Sequence, residues 1–270
     1  MQHMRRQLIK HLVDQVHAES WQRLYRKKNV GLAINGWPAR LKHYSWATRS
    51  NPDLVSHLIW LNSMAQRVKA AVKSQDKNQI ALDILKWGGV TRGNIGRVQS
   101  VTNDVIKSAI KGSQCNNAPM NSGWTKIAAV FSFPDPKARP QVIWDSRVSL
   151  SVCVRLGEAA RCRRVKPADL QKCFKNALGW VAGRGGNRPV LRQCAQTWFP
   201  NRYGRWDAHF QGGSVSSEIA EILNSNPKKY GSPRDAVSED EVEKLKKEGA
   251  PVPYQWTPWL VACVLFMDGQ

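Results

Sequence analysis

The sequence predicts an all-α fold, and three observations predict it. Apolar residues recur at helical spacing through most of the chain, the breaks between those stretches carry Gly, Pro and Asn, and no run of alternating strands stands out. At 270 residues, 42% hydrophobic and with twelve tryptophans, the chain can bury a real core, which excludes disorder as a description.

The elements follow in order. Leu8, Ile9, Leu12, Val13 and Val16, continued by Trp21, Leu24 and Tyr25, predict an amphipathic opening helix. Pro52 after Asn51, at a first helical position, leads into Leu54, Leu58, Leu61, Ala65, Val68 and Val72, a second long helix. A third ends near Leu85, before the break Trp87-Gly88-Gly89. Ile95, Val98, Val101, Val105, Ile106 and Ile110 then share one helical face, closed by Gly112 where a left-handed cap belongs. Further helices are expected at 123–132, 146–156, 168–182, 190–198, 215–224, 238–248 and 257–267, with punctuation at Pro134–Pro140, Gly183–Pro189, Asn224–Pro233 and Gly249–Pro253. Glu239 to Glu248 mixes both signs and reads as a solvated helix. Without internal repeats, residues 1–270 read as one compact helical unit in two lobes.

Charge narrows the partner. Lys and Arg number 41 against 20 Asp and Glu, an excess of 21, and such a field attracts polyanions through counterion release. Double-stranded DNA is the expected partner. A membrane surface calls for a basic amphipathic helix with an exposed apolar face or a lipid anchor, neither of which stands out, and the apolar runs fall short of a bilayer span. The six cysteines (115, 153, 162, 173, 194 and 263) lack CxxC spacing and read as free thiols in a reducing cytosol. No export signal is read at the N-terminus. The chain is therefore expected in the cytoplasm, at the nucleoid if bacterial, with no cofactor, metal or obligate protein partner.

The chemistry concentrates at 119–147. A polar turn leads into a small apolar helix carrying Lys126, a Pro-rich loop follows, and Val142-Ile143-Trp144 delivers Asp145 to the start of another helix. Taken singly, Asp145 reads as an N-cap and Lys126 as a solvated lysine. Taken together they suit cleavage of an N-glycosidic bond: a fixed carboxylate stabilises the oxocarbenium-like sugar, and a lysine amine with a lowered pKa attacks C1′ to form a Schiff base.

Thr125-Lys126-Ile127-Ala128 and Val142-Ile143-Trp144-Asp145 resemble the helix-hairpin-helix DNA glycosylase superfamily, in its 8-oxoguanine-DNA-glycosylase-like branch. The close match covers about a ninth of the chain. The resemblance implies Lys126 and Asp145 as catalytic residues, base flipping, and an associated AP lyase activity if Lys126 gives up its proton. The substrate it implies is a damaged base such as 8-oxoguanine in repair, or a hypermodified phage base such as glucosylated hydroxymethylcytosine in antiviral defence. The family's hairpin carries Gly-hydrophobic-Gly, whose amides approach a phosphate and a cation. Here the triplet is Ser122-Gly123-Trp124, glycine only in the middle.

Ser122, Gly123, Trp124 and Thr125 are accordingly the expected DNA contacts at the hairpin. Arg92, Arg97, Lys107, Lys111, Lys137, Arg139, Arg147, Arg184 and Arg188 flank it in sequence and suit phosphates. The family places base-holding residues on the C-terminal helix, which implies Gln255, Trp256, Trp259 and Phe266 here; Trp87 with Gly88 and Gly89, and Tyr203 to Trp206, are further pocket candidates. Three other classes compete, the most distant a ribosome- or RNA-associated factor, for which no RNA-binding sheet motif or Gly-x-x-Gly clamp appears. A metal-dependent nuclease would use Asp135 and Asp145, although acidic partners and histidines at recognisable spacing are missing. A non-catalytic helix-hairpin-helix protein would keep Lys126 as a phosphate contact and Asp145 as a cap.

Overall fold

A computed structural model describes residues 1–25, 28–45, 53–135, 138–139, 141–183 and 188–269. These are mostly helical. Helix α1 (Gln2–Ala18) buries Leu8, Ile9, Leu12, Val13 and Val16, the stripe its spacing predicts. It stops earlier than expected. Arg40 Nη2 donates to the Glu19 carbonyl at 2.9 Å and the Gly36 amide to His17 O at 3.0 Å, which turns the chain away from the helix axis. Trp21, Leu24 and Tyr25 therefore lie in strand β1 (Trp21–Tyr25), antiparallel to β2 (Lys28–Ile34) with Tyr25 opposite Lys28. Three apolar residues are too few to establish a helical period. The β-forming Trp, Tyr, Val and Ile decide for the strand once the turn is fixed.

Helix α2 (Trp37–Lys42) follows, then α3 (Leu54–Ala70), whose cap is Asp53, accepting from the Ser56 amide at 2.7 Å. The expected start at Asn51 and Pro52 lies outside the described residues. Val72, expected on this helix, comes after it and is exposed. Helix α4 (Ser74–Trp87) ends within two residues of the expected place. A short 3-10 turn (Ile95–Arg97) leads into α5 (Val98–Lys111), capped by Gly112 at φ +64°, the left-handed cap its position predicts.

Helices α6 (Ser122–Ser132) and α7 (Ser146–Cys162) carry the expected catalytic segment. Helix α8 (Pro167–Cys173) is much shorter than the expected 168–182, because Lys175 and Asn176 both adopt positive φ and end it. The chain beyond runs extended and pairs Trp180 with Asn201. Helix α9 (Arg188–Gln196) precedes α10 (Trp206–Ser225), which begins well before the expected 215. Helices α11 (Pro227–Tyr230), α12 (Glu239–Lys247) and α13 (Pro258–Asp268) complete the chain.

Helix α13 is apolar all round because it runs through the core, packed by α7, α10 and α2. Its last residue anchors it. Asp268 accepts from Arg40 at 2.5 Å, from Arg155 at 3.0 Å and from Ser151 at 2.6 Å, so α2, α7 and α13 meet at one buried carboxylate. The two guanidiniums hold that carboxyl below its ordinary value against the opposing effect of burial. Among the described residues no helix is long and apolar enough to cross a membrane, and the cysteines are free.

Candidate active site

The segment between α5 and α6 is braced by the start of α10 and the turn before it. Trp206 Nε1 donates to Ala118 O at 2.7 Å, the Trp206 amide bonds Gln114 Oε1 at 3.2 Å, and the Gly204 amide bonds Met120 O at 2.9 Å. Helix α6 then starts on Asn121, whose Oδ1 accepts from the amides of Gly123 at 2.8 Å and Trp124 at 3.0 Å. Asn121 Nδ2 in turn donates to Asn94 Oδ1 at 3.1 Å, and Asn94 Nδ2 to Val90 O at 2.8 Å. Two asparagines thus tie the start of α6 to the loop after α4. Gly123 belongs there because a Cβ would stand 2.6 Å from Asn94 Nδ2.

Lys126 lies one turn into α6, 2% exposed, its Nζ donating to Ser122 O at 3.0 Å. Its stem runs across the C-terminus of α4, where only glycine fits: a Cβ on Gly88 would stand 2.5 Å from Lys126 Cδ. Burial pulls the ammonium down from 10.5 to about 8; the Asp145 carboxylate pushes the other way and the Arg147 guanidinium adds to the fall.

Asp145 is aimed by what precedes it. Val142, Ile143 and Trp144 are buried, Trp144 Nε1 donates to Gly179 O at 3.2 Å, and His209 Nε2 bonds Val142 O at 2.8 Å. Burial lowers the His209 pKa to about 4, so near neutral pH the ring is uncharged and that nitrogen is the donor. Asp145 Oδ1 caps α7, accepting from the amides of Arg147 at 2.9 Å and Val148 at 3.1 Å. Arg147 lies back over the Phe266 ring, its guanidinium carbon 4.3 Å from the ring centre.

Lys126, Asp145, Arg147, Ser122, Phe266 and Tyr203 line one open cleft of about 450 Å³, walled on one side by Gly88, Gly89 and Val90. A titratable amine and a capped carboxylate beside a cavity large enough for a nucleobase can attack and stabilise an electron-poor carbon.

Other expected site residues lie elsewhere. Gln255 and Trp259 line a separate apolar cleft of about 320 Å³ with Leu58, Leu61 and Phe133. Trp259 Nε1 also donates to His57 Nε2 at 2.9 Å. Trp256 is a core residue, edge-on to Trp37 and bonded to Gly231 O at 3.0 Å. The expectation that these three share a pocket with Lys126 is thereby corrected; only Phe266 of the C-terminal set reaches it. The reason is axial: Trp259 and Phe266, seven residues apart, share one face of α13 but lie about two turns apart along it. Pro258 starts α13 after the 255–256 turn, and the helix offers Phe266 to the cleft from its far end.

Trp87 is buried in a stack with Trp60, ring centres 4.0 Å apart, just before the cleft wall. Trp124 and Thr125 are buried, and the amides of Gly123 and Trp124 are held by Asn121, which corrects their place on a DNA-facing hairpin. Arg92, Arg97, Lys107, Lys111 and Arg139 are exposed. Lys137, Arg184 and the Arg188 side chain lie outside the described residues. Sequence reasoning did not find Asn94 and Asn121. The signal for Asn121 was there, an N-cap residue directly before an apolar helical run; Asn94 had none.

Among the described residues no three His, Cys, Asp or Glu side chains converge as metal ligands would. Comparisons of the chain with family profiles, with curated proteins and with solved structures match nothing.

Proposed function

We propose that the protein is a DNA glycosylase with an associated lyase step, acting through Lys126 and Asp145. The observation that carries this reading is a buried lysine amine, brought to a pKa of about 8, lining the same cleft as Asp145. With that value about a tenth of the molecules hold a neutral amine at pH 7, enough to supply a nucleophile without a separate base. The Nζ lone pair forms a bond to C1′ as the base departs with the glycosidic electrons. Nζ then loses one proton, and opening of the sugar ring gives a protonated imine from which β-elimination breaks the strand. Asp145 faces the sugar as positive charge grows and stabilises that state more than the ground state. The excess of 21 positive charges supplies attraction to DNA. The cleft volume suits either a damaged base such as 8-oxoguanine or a bulky one such as glucosylated hydroxymethylcytosine.

The test is incubation, with a chelator present, of duplexes carrying single lesions and of phage DNA bearing modified cytosines, followed by mass spectrometry of freed bases. Release is expected from one of them. It should be lost in Asp145→Asn, with DNA binding retained, and Lys126→Ala should abolish borohydride trapping. Tight binding without release across the panel, or full turnover by both variants, refutes the assignment.

A further inference from the structure

The cleft contains one aromatic ring whose exposure its surroundings do not explain. Tyr203 is 58% exposed, yet it lines the same cleft as Lys126 and Asp145. Its backbone is held on both sides. The Arg202 amide bonds Trp180 O at 2.9 Å, the Gly204 amide bonds Met120 O at 2.9 Å, and the Tyr203 amide bonds Asn201 Oδ1 at 3.0 Å. Gly204 at φ +85° permits the sharp return that leaves Tyr203 at the apex. An exposed tyrosine on a loose loop is ordinary surface. A tyrosine projected by a braced turn, at the rim of a reactive cleft, is preorganised to meet something flat.

Phe266, the other aromatic ring of the cleft, does not compete for that role. It is almost wholly buried and the Arg147 guanidinium covers its face at 4.3 Å. We infer that Tyr203 is the surface on which the extruded base stacks, with Arg147 kept on Phe266 in the same cleft and donating from its guanidinium to acceptors on the base edge. Arg147 can only donate, so bases presenting carbonyl oxygens or unprotonated ring nitrogens suit this wall. The inference rests on the glycosylase reading and adds to it a binding surface outside the C-terminal helix.

The test uses whichever duplex of the panel loses its base, rebuilt with 2-aminopurine next to the target, whose emission rises when its neighbour leaves the stack. Asp145→Asn holds off the chemistry. In that background Tyr203→Ala should need about ten- to a hundredfold more protein for the same rise, the usual loss when an aromatic partner of one base is removed. Tyr203→Phe and Tyr203→Trp should restore it, and Tyr203→Leu should not. In the active protein Tyr203→Ala should raise KM and leave trapping of a preformed abasic site unchanged. Equal titrations for Tyr203→Ala and the parent overturn the stacking role while the glycosylase reading stands. Absence of base release from every duplex removes both.

Discussion

Replacing Lys126 with methionine should make the protein more stable as it makes it inactive. The side chain is buried, and holding its ammonium there brings the pKa from 10.5 to about 8. Each tenfold change in proton affinity corresponds to about 1.4 kcal/mol, so the charged lysine costs the native state about 3 kcal/mol. Methionine has nearly the same length and no charge. Among the bonds lost, that from Nζ to Ser122 O leaves a carbonyl that still has the Thr125 hydroxyl at 3.4 Å. Below pH 8 the folded and unfolded chains both hold the proton, and the penalty is whole. Between 8 and 10.5 the unfolded chain alone holds it, so the native state recovers as the pH rises, and above 10.5 nothing is left of the difference. Lys126→Met should therefore raise the melting temperature by about 5 °C at pH 6.5, given the usual unfolding entropy per residue, and by almost nothing at pH 10.5. Thermal unfolding of the two proteins side by side at both pH values measures it. A methionine variant less stable than the parent at pH 6.5, or a gain that ignores pH, would show that Lys126 is not held against its charge.

Two further outcomes follow from the same geometry. Gly88→Ala is compatible with the backbone at φ −75°, but its Cβ would stand 2.5 Å from Lys126 Cδ and 2.9 Å from Cε, so the amine must move. Borohydride trapping should fall by about a hundredfold, as for an ångström-scale misplacement of a reacting group, with the circular dichroism unchanged. Undiminished trapping would mean that the observed path of the lysine stem is not the reactive one. The trapping rate in the parent protein should also climb about tenfold between pH 7 and 9 and level off above, because the neutral amine is the reactive form and its pKa is about 8; a flat profile would place the nucleophile elsewhere.

The parts of the fold that were legible in the sequence are those where local chemistry and tertiary packing agree. Helix α5 has a clean apolar face and a glycine at its left-handed cap, and α6, α12 and α13 begin on capping side chains, Asn121, Ser238 and Thr257. Asp145 was legible as a cap for the same reason, and the cleft holds it in that role and beside Lys126 at once. The misses lie where distant contacts decide. The turn from α1 into β1 depends on Arg40 and Gly36 binding the end of α1, and nothing around Trp21 announces it. Helix α8 ends at residues that carry no glycine signal but take positive φ. The C-terminal aromatics were read as one group because they are neighbours in sequence. Packing sent Trp256 to Trp37, Trp259 to His57 and Phe266 to the cleft.

The asparagine pair changes what the start of α6 can do. A helix N-terminus attracts anions through amides that have no intrahelical acceptor. Here the amides of Gly123 and Trp124 already bond Asn121, which is itself fixed by Asn94, so this end is less able to receive a phosphate and better able to stay still. Stillness matters for a lysine held at a pKa of about 8, since a small opening would admit water and restore its charge. The same logic accounts for the aromatic wall behind Gly88, where Trp87 stacks on Trp60 and His57, and burial keeps His57 neutral with its pKa near 3. A charged ring there could not accept from Trp259 Nε1, as His57 Nε2 does at 2.9 Å. On this reading the segment leading into α6 serves to place one amine, and the grip on DNA falls to the exposed arginines and lysines around it, Arg92, Arg97, Lys107 and Lys111 among them.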